Sequence, residues 1–242
     1  MISVAMATHN GERYIAEQIS SILCQLSESD ELVISDDGST DATLDVIASF
    51  GSPQIRLLRL SPDRSLRLPE RVGRNFANAL EQCRGSVVFI ADQDDVWLRH
   101  KVQTMVAALQ EADVAISDSW IVGSDDNCSR LRYGRSSPLG NYLLLGRAKY
   151  QGCCMALRRE ALRRMLPMPS RMPLYDSYLG LLGELTGRVS YIAEPLILHR
   201  LHHANASQSV HNPLHYKLSY RLRLLAQIYR RAIEYRFKQL KP

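Results

Sequence analysis

Three carboxylates within four positions follow an apolar run near the middle of the chain. The run Val87-Val88-Phe89-Ile90-Ala91 is β-branched and aromatic, and Asp92, Asp94 and Asp95 come directly after it. A continuous apolar run of this length is typical of a strand buried on both faces, as in a parallel sheet. Open α/β sheets bind their ligands beyond the carboxyl ends of such strands. The run therefore predicts a parallel α/β sheet with a charged crevice at one edge.

The three aspartates need partners, because clustered negative charges repel one another unless a cation or strong donors neutralise them. Hard divalent ions prefer carboxylate oxygens, and Mg²⁺ commonly bridges one or two carboxylates to substrate phosphates. A polar loop that caps the next helix would use one of them, Asp94 or Asp95, as its N-cap. Three aspartates at a strand end exceed that need, so the pattern favours a functional site over a cap.

Strand and helix patterns alternate along the first half of the chain. Strands are predicted over residues 2–8, 31–35, 55–60, 86–91 and 113–117, and helices over 14–25, 73–83 and 98–110, with another helix around Leu44 and Ile47. Residues 61–72 are basic, contain proline and are predicted to form a loop. The alternation predicts a mostly parallel, Rossmann-like central sheet that is flanked by helices and joined by right-handed crossovers.

Polar residues also follow the first two strands. Thr8-His9-Asn10-Gly11 comes after the first strand, and Asp36-Asp37 comes after the second. If these strands are neighbours of the 86–91 strand, their ends form a single crevice. The chain has neither G-x-G-x-x-G nor G-x-x-x-x-G-K-[ST], so a glycine-rich phosphate cradle is not expected. Phosphate would be held through metal and scattered basic groups, for which Arg71 and Arg74 are candidates.

Four motifs occur in the order and spacing of a known family. They are Thr8-His9-Asn10-Gly11, Ser35-Asp36-Asp37-Gly38-Ser39-Thr40-Asp41, Gly73-Arg74-Asn75-Phe76 and Ala91-Asp92-Gln93-Asp94-Asp95-Val96-Trp97. Together they resemble family 2 glycosyltransferases, inverting enzymes with a GT-A fold, over about residues 1–210. The Asp-Gln-Asp-Asp-Val-Trp form resembles the bacterial branch that includes rhamnosyltransferases of surface-polysaccharide synthesis.

The resemblance implies a substrate pair and a cofactor. The donor would be a nucleoside-diphosphate sugar, with dTDP-L-rhamnose or a UDP-sugar as the best guess, and the acceptor a saccharide or lipid-linked saccharide. Thr8 and Asp37 would lie near the nucleotide base and Asp94 near the ribose. Mg²⁺ or Mn²⁺ on the diphosphate would be bound by members of the set Asp92, Asp94 and Asp95. Further donor contacts are expected from Asn10, Glu12, Asp36, Arg74, Arg200 and His202.

The second half of the chain is predicted to bind the acceptor. Residues 120–149 are rich in Ser, Gly and Arg and are predicted to form a long functional loop. A strand-like run follows over 151–157, and by the resemblance Gly152 and Cys153 line the active site. We also place Trp97 on the acceptor side. Asp176 opens an apolar helical stretch; it could be an N-terminal helix residue stabilised by the macrodipole, but the resemblance implies a general base.

Three histidines, at 199, 202 and 203, fall within five positions. A metal site is conceivable, yet no carboxylate or cysteine lies nearby in the sequence to complete it. The resemblance instead matches Arg200, His202 and Asn205 to an element that closes over the donor. We therefore predict a loop on the diphosphate side.

Basic residues are concentrated at the end of the chain. Residues 217–242 contain eight Lys/Arg and one Glu, whereas the remaining residues carry 22 basic and 24 acidic side chains. Apolar residues recur there near helical spacing, which suits packing on the body, an anionic membrane surface or nucleic acid. We favour packing together with membrane docking over nucleic-acid binding, because the body is slightly acidic and lacks interleaved basic and aromatic residues.

The remaining features bound the organisation and the compartment. No charged-then-apolar leader precedes the first strand, and no run reaches the roughly 18 apolar residues of a membrane span. Five cysteines without paired spacing favour a reducing compartment. We expect a cytoplasmic protein, peripheral on the inner face of the cytoplasmic membrane. It would have a nucleotide-sugar-binding half at 1–118, an acceptor-binding and catalytic half at 119–210, and a basic helical tail at 211–242.

Two other functions remain open from the sequence. A metal-dependent nucleotidyl or phosphoryl transferase would also use clustered aspartates. A non-catalytic scaffold subunit at the membrane would retain the fold with a degenerate site, and the unusual flanks of Asp176 leave that alternative open.

Overall fold

The computed structural model of the chain describes residues 1–123, 127–133, 150–172, 174–202 and 214–239. The first half alternates strands with helices, as its apolar periodicity predicts. Its elements are β1 (Ile2–Thr8), α1 (Ile15–Leu23), β2 (Glu31–Asp36), α2 (Thr43–Ser49), β3 (Ile55–Arg59), α3 (Leu68–Gln82) and β4 (Val87–Asp92).

The second half mixes short strands with helices. Its elements are β5 (Val96–Trp97), α4 (Lys101–Ala108), β6 (Val114–Val122), β7 (Cys128–Leu131), a 3-10 turn (Gly152–Cys154), β8 (Met155–Arg158), α5 (Arg159–Met165), α6 (Tyr175–Thr186), β9 (Val189–Arg200) and α7 (Leu214–Gln239). The division predicted after residue 118 falls inside β6.

Within the described ranges the strands form one sheet in the order β3-β2-β1-β4-β8-β6-β9-β5, with β7 paired to β6. The stretch β3-β2-β1-β4 is parallel, and β8 joins β4 in the antiparallel sense. β1 lies between β2 and β4, with Thr8 opposite Asp36 and Ala7 opposite Asp92. The prediction that these three strands are neighbours is confirmed, and their carboxyl ends meet at one edge of the sheet.

The apolar runs of β1, β2 and β4 form the centre of the core. Val4, Val33 and Phe89 have no exposed surface, and neither have the apolar residues on either side of them in the chain. Helices cover both faces of a parallel sheet, so its strands need no polar face. The continuous apolar run that ends at Asp92 thus marks a doubly covered strand.

Helix α3 begins earlier than predicted. Pro69 stands in its first turn, where the missing N–H costs nothing, and the Arg67 backbone N–H donates to the Glu70 carboxylate at 3.0 Å. Pro69 lies in the segment 61–72 that was predicted to be a loop, but it stands at the start of a helix.

The second half contains more strand than its composition suggests. β6 continues to Val122 and pairs with β7, within the segment predicted as a loop, and β9 brings His199 and Arg200 to a strand end. The strand predicted over 151–157 begins only at Met155, because Gly152 to Cys154 form the 3-10 turn. Residues 134–149 of the predicted loop, His203 and Asn205 lie outside the described residues.

The basic tail forms helix α7, which packs against α5 and α6. Leu224, Ile228 and Ala232 recur every four residues and are buried. Arg231 donates from Nε to the Arg164 carbonyl at 3.0 Å and from Nη2 to the Leu166 carbonyl, so its guanidinium satisfies acceptors at the end of α5. Among the described helices, none combines the length and apolar character needed to cross a membrane.

Removing the buried apolar contact of α7 should destabilise the whole domain. We expect Ile228→Ala to lower the free energy of unfolding by about 2–4 kcal/mol, since it leaves a cavity at a fully buried position. Leu222→Ala on the same helix should cost less than about 0.5 kcal/mol, because Leu222 is 59% exposed. Urea unfolding of both variants measures the difference, and equal effects would contradict the packing of α7.

Candidate active site

The three aspartates after β4 form the charged floor of the crevice. Asp95 is fully buried, Asp94 is nearly so and Asp92 is partly exposed. Burial, followed by the charges of Asp95 and Asp94, raises the pKa of the Asp92 carboxyl well above its usual value. Burial and the charge of Asp95 also raise the pKa of Asp94, against an opposing effect of His202. The three aspartates therefore lie close together in the fold, and their carboxyl groups interact electrostatically.

Asp95 is neutralised by a histidine from β9. Its Oδ1 accepts hydrogen bonds from His199 Nδ1 at 2.9 Å and from the Arg200 backbone N–H at 3.2 Å. Burial opposes the imidazolium charge, but the hydrogen bond and charge of Asp95 outweigh it and raise the pKa of His199 to about 10. At neutral pH the two side chains form a buried ion pair.

The donor set around this pair fits a divalent cation. Ligand atoms of Asp92, Asp95, Cys153 and His199 lie within 4.8 Å of one another. Asp95 Oδ2 is buried and accepts no hydrogen bond from the described residues, which leaves an oxygen free for a cation. The carboxylates and the cysteine beside His199 come from distant parts of the chain, so the sequence around the histidines did not indicate them.

The four groups of this set differ in how well they can coordinate a metal ion. The hydrogen bond with Cys154 and burial raise the pKa of the Cys153 thiol, and His199 carries its proton in the ion pair. A protonated thiol or imidazolium nitrogen cannot coordinate a metal. Of the groups in this set, the carboxylate oxygens of Asp92 and Asp95 are the ligands that suit Mg²⁺ or Mn²⁺.

A second histidine contact lies at the mouth of the crevice. His202 Nε2 is 2.9 Å from Asp94 Oδ2, and the His202 ring stacks on Tyr14 with centroids 4.7 Å apart. The Arg200 guanidinium lies 5.4 Å from the Tyr14 ring centroid and donates to the Glu17 carboxylate at 2.6 Å. The structure thus brings together the predicted donor-side residues Asp94, Arg200 and His202 beside the start of α1.

Several other predicted donor contacts instead bind neighbouring turns. Asn10 Oδ1 accepts from the Thr40 N–H at 2.8 Å, and Glu12 Oε2 accepts from the Ala42 N–H at 2.8 Å. Asp36 is 2% exposed, and its Oδ1 accepts from the backbone N–H groups of residues 38 and 39. These contacts hold the turns after β1 and β2 against each other. Asp36 is thus bonded within this scaffold, and its predicted donor contact stays a prediction.

Thr8 is likewise bonded within the scaffold. It is 1% exposed, and its Oγ1 donates to Gln93 Oε1 at 2.5 Å. Its predicted position near the nucleotide base stays a prediction.

A basic side chain does lie beside Asp37, but it is Arg71. Both Nε and Nη2 of Arg71 donate to Asp37 Oδ2, at 2.8 and 2.6 Å, whereas Asp37 Oδ1 is buried without a partner among the described residues. Arg74, the predicted phosphate contact, donates instead to the Ser61 carbonyl at 2.8 Å. Arg74 is thus directed to the loop before α3.

The acceptor-side predictions have mixed outcomes. A Cβ at Gly152 would lie 2.1 Å from the Tyr175 hydroxyl, so only glycine permits this close approach next to the buried Cys153. The structure places Trp97 in the core, where it is 3% exposed and packs on Phe89 with ring centroids 5.3 Å apart. Its predicted acceptor contact stays a prediction.

Asp176 lies in the first turn of α6 and is partly buried. Its Oδ1 accepts from the Ser177 N–H at 2.6 Å, and burial raises the pKa of the carboxyl to about 6. Burial and then the charges of Asp92 and Asp176 raise the pKa of the adjacent Tyr175 hydroxyl. The Tyr175 hydroxyl also lies against Gly152, which precedes the metal-ligand candidate Cys153, and Asp176 follows Tyr175 in the chain.

Sequence reasoning missed two residues of the crevice wall. Lys101 is fully buried, and its ammonium donates to the Cys153 carbonyl at 3.1 Å and lies 5.2 Å from the Trp97 ring centroid. Gln93 bonds the turn after β1. A lysine at the start of a helix is normally exposed, so no local pattern indicated its burial.

The chain resembles named proteins over most of its length. The model of the family "Glycosyl transferase family 2" matches residues 3–166. An uncharacterized glycosyltransferase of Nostoc sp. is 31% identical over 86% of this chain and 67% of its own length. The dTDP-rhamnosyl transferase RfbG of Shigella flexneri is 27% identical over 65% of this chain and 55% of its own length.

Solved structures share the fold. TarS of S. aureus, in complex with UDP-GlcNAc, superposes with a TM-score of 0.70 at 19% identity, over 87% of this chain and 61% of that one. Glucosyl-3-phosphoglycerate synthase of Mycobacterium tuberculosis, with Mn²⁺, UDP and phosphoglyceric acid, gives a TM-score of 0.60 at 20% identity, over 96% and 78%. These neighbours confirm the predicted GT-A fold. With the family match over residues 3–166 and the 31% identity to the Nostoc relative, the chain belongs to glycosyl transferase family 2.

Proposed function

We propose that the chain is a metal-dependent, inverting hexosyltransferase that acts in bacterial surface-polysaccharide synthesis. It moves a sugar from a nucleoside-diphosphate donor to a hydroxyl of a saccharide or lipid-linked saccharide. The observation that carries the proposal is the cluster of Asp92 and Asp95 with His199, whose ligand atoms lie within 4.8 Å of one another. A separate carboxyl, Asp176, lies in the first turn of α6 and has a raised pKa. We assign cation binding to the cluster and proton acceptance to Asp176.

The donor is dTDP-L-rhamnose or a UDP-sugar. The name of the Shigella relative supports the first, and the UDP and UDP-GlcNAc of the two structural neighbours support the second. The chain spans 55% to 67% of the length of the two relatives. The activities of those longer proteins therefore apply to this chain only as part of the proposal.

The carboxylates of Asp92 and Asp95 hold the cation, with Asp94 beside them. Asp95 offers its unpartnered Oδ2 while the ion pair with His199 fixes its other oxygen. When bound, Mg²⁺ or Mn²⁺ supplies positive charge that stabilises the departing nucleoside diphosphate. Arg200 and His202, at the mouth of the crevice, lie where they can add donors to the same diphosphate.

Asp176 is the general base. An acceptor hydroxyl attacks the anomeric carbon from the face opposite the diphosphate and gives its proton to Asp176. One displacement inverts the anomeric centre, so no covalent nucleophile is required. The pKa near 6 keeps the carboxyl ionised at neutral pH while making it a stronger base than an exposed aspartate.

Calorimetric titration with UDP, dTDP, GDP and CDP tests the donor site. With Mn²⁺ present we expect one diphosphate to bind, and EDTA to abolish the binding. Asp95→Asn should weaken it about 10- to 100-fold, the usual effect of disturbing a metal site. Glu31→Gln is the matched control, because Glu31 is a buried carboxylate at the opposite end of β2. Binding of triphosphates with pyrophosphate release would favour a nucleotidyl transferase, and no binding a scaffold.

Asp176→Asn should remove turnover while stabilising the fold. We expect kcat/KM to fall about 10²- to 10⁴-fold, and the wild-type rate to rise as pH increases through about 6, where Asp176 loses its proton. The pKa of Asp176 in the folded state exceeds that of an exposed aspartate in the unfolded chain, so ionised Asp176 lowers stability above about pH 6. Asparagine should then add about 1–2 kcal/mol at pH 8 and nothing at pH 4.

The matched control for that measurement is Asp45→Asn, which changes an exposed first-turn aspartate of α2. It should leave the rate and its pH dependence unchanged. An Asp176→Asn variant that keeps wild-type turnover would exclude Asp176 as the base.

The tail supports peripheral contact with the cytoplasmic membrane from the cytoplasmic side. In the described part of the chain, the exposed large apolar side chains are Met1 and four residues of α7: Leu218, Leu222, Tyr229 and Ile233. They recur at spacings of four, seven and four, so they form one stripe beside the buried face of the helix. α7 thus has two apolar faces, of which one packs on the body.

The positive charge of the tail favours an anionic lipid surface as the partner that covers the exposed stripe. Residues 217–242 carry eight Lys/Arg and one Glu, so a second copy of the tail would meet strong like-charge repulsion. Anionic headgroups attract the same charges at about 1 kcal/mol each near the surface. A lipid-linked acceptor would be presented at that surface.

Sedimentation with vesicles tests the contact. Wild-type protein should bind vesicles of phosphatidylglycerol and phosphatidylcholine in equal parts, and not phosphatidylcholine alone. Leu222→Glu should reduce the partition about tenfold or more, because burying a leucine contributes about 1.5–3 kcal/mol. Gln227→Glu adds the same charge away from the stripe and should have a smaller effect. A dimer that Leu222→Glu dissociates, without vesicle binding, would replace lipid by a second copy.

A further inference from the structure

One side-chain amide joins the two sides of the crevice. Gln93 stands between Asp92 and Asp94 in the chain and contacts the turn after β1, which belongs to the opposite side. We propose that Gln93 is a positioning residue that fixes the carboxylate turn after β4 for binding of the cation. The inference rests on the metal site of the proposed function, and it assigns to Gln93 no contact with metal or substrate.

The hydrogen bonds of Gln93 run in both directions. Its Oε1 accepts from Thr8 Oγ1 at 2.5 Å and from the His9 N–H at 2.9 Å, and its Nε2 donates to the His9 carbonyl at 3.2 Å. The side-chain amide accepts through its oxygen and donates through its nitrogen while remaining neutral. A glutamate of the same shape could not donate, and it would add a fourth negative charge to three that already repel.

Gly11 shows that the turn after β1 is shaped for this amide. A Cβ at Gly11 would lie 2.5 Å from Gln93 Oε1 and 2.7 Å from its Cδ. Gly11 has no unusual backbone angle, so the need for glycine comes from the approach of Gln93 and not from strain. The glycine of the Thr8-His9-Asn10-Gly11 motif thus leaves room for the side chain between the aspartates.

Thr8 extends the hydrogen-bond network of Gln93 to β2 and α3. Its carbonyl accepts from Asn75 Nδ2 and from the Asp37 N–H, each at 3.0 Å, while its hydroxyl bonds Gln93. The ends of β1, β2 and β4 and the helix α3 therefore meet at one buried residue. On the other side of the turn, Gln18 Nε2 donates to the Asp92 carbonyl at 2.8 Å. The carboxylate turn is held at its start by Gln18 and in its middle by Gln93.

Three variants remove the hydrogen bonds between Gln93 and the turn after β1, which we call the Gln93 clamp, in different ways. Gln93→Met keeps the volume and loses all its hydrogen bonds, Thr8→Val removes one partner, and Gly11→Ala pushes the flexible amide away. Each should weaken binding of Mn²⁺ alone about 10- to 100-fold, as expected when outer groups that orient metal ligands are lost. Electron paramagnetic resonance of free Mn²⁺ measures this without donor or acceptor.

The double variant separates a clamp from independent contributions. Thr8→Val combined with Gln93→Met should bind Mn²⁺ no more weakly than Gln93→Met alone, because both break one connection. Full additivity would overturn the proposal.

Gln25→Met is the matched control. Gln25 lies just after α1, and its amide also makes three hydrogen bonds to backbone, with Ser21, Leu98 and Val102, but none to the carboxylate turn. It should alter thermal stability as Gln93→Met does and leave Mn²⁺ affinity unchanged. If Gln25→Met weakens Mn²⁺ as much, if Gln93→Met binds normally, or if the wild type binds no Mn²⁺, the positioning role is wrong.

Calorimetry with UDP and dTDP distinguishes this inference from the proposed function. A wild type that binds Mn²⁺ but no diphosphate would exclude the donor proposal, and loss of Mn²⁺ affinity in Gln93→Met would still support the clamp. Normal diphosphate and Mn²⁺ binding in every variant would leave the function standing and remove the clamp.

Discussion

Mutual repulsion among the aspartates at the end of β4 is the constraint on which the crevice depends. Water cannot screen Asp95, which is fully buried, so the chain supplies an imidazolium from His199. His202 Nε2 lies 2.9 Å from Asp94 Oδ2, while Asp92 remains partly exposed and the pKa of its carboxyl is raised. The remaining charge imbalance is what a divalent cation would neutralise. Electrostatics therefore explains both why β9 brings His199 to this edge and why the arrangement fits a divalent cation.

Local patterns predicted the parts of this site that local chemistry controls. The apolar run of β4 and the polar residues after β1 and β2 place ligand-binding groups at strand ends, and the pairing of the three strands confirms the crevice. The partners of Asp95 could not be found in this way. His199 is 104 positions away in the chain, and β9 reaches Asp95 only through its parallel pairing with β6 and a two-residue pairing with β5.

Burial shows which of the predicted ligand-contact residues are bonded or packed within the scaffold. Thr8, Asp36 and Trp97 have residue types suited to ligand contact, yet each is almost inaccessible and bonded or packed within the scaffold. Lys101 is the converse case, a charged residue of a helix start that is completely enclosed. Sequence periodicity reports which face of an element is apolar, but it does not report whether a polar side chain at a strand end faces the crevice or the next turn. That choice depends on neighbours from other strands.

Helix α6 connects the two regions that the proposed function requires. Its first turn carries Asp176, and its body packs against α5 and α7. Arg231 of α7 bonds the end of α5, and Tyr178 of α6 donates to the Met165 carbonyl of α5 at 2.8 Å. The tail is therefore joined to the element that bears the base by buried contacts and hydrogen bonds. A membrane surface bound to the exposed stripe of α7 would consequently orient Asp176 relative to that surface. An acceptor held in the lipid would then need to approach Asp176 from a restricted range of directions. Docking on the membrane would in that case help to select the acceptor as well as to locate the protein.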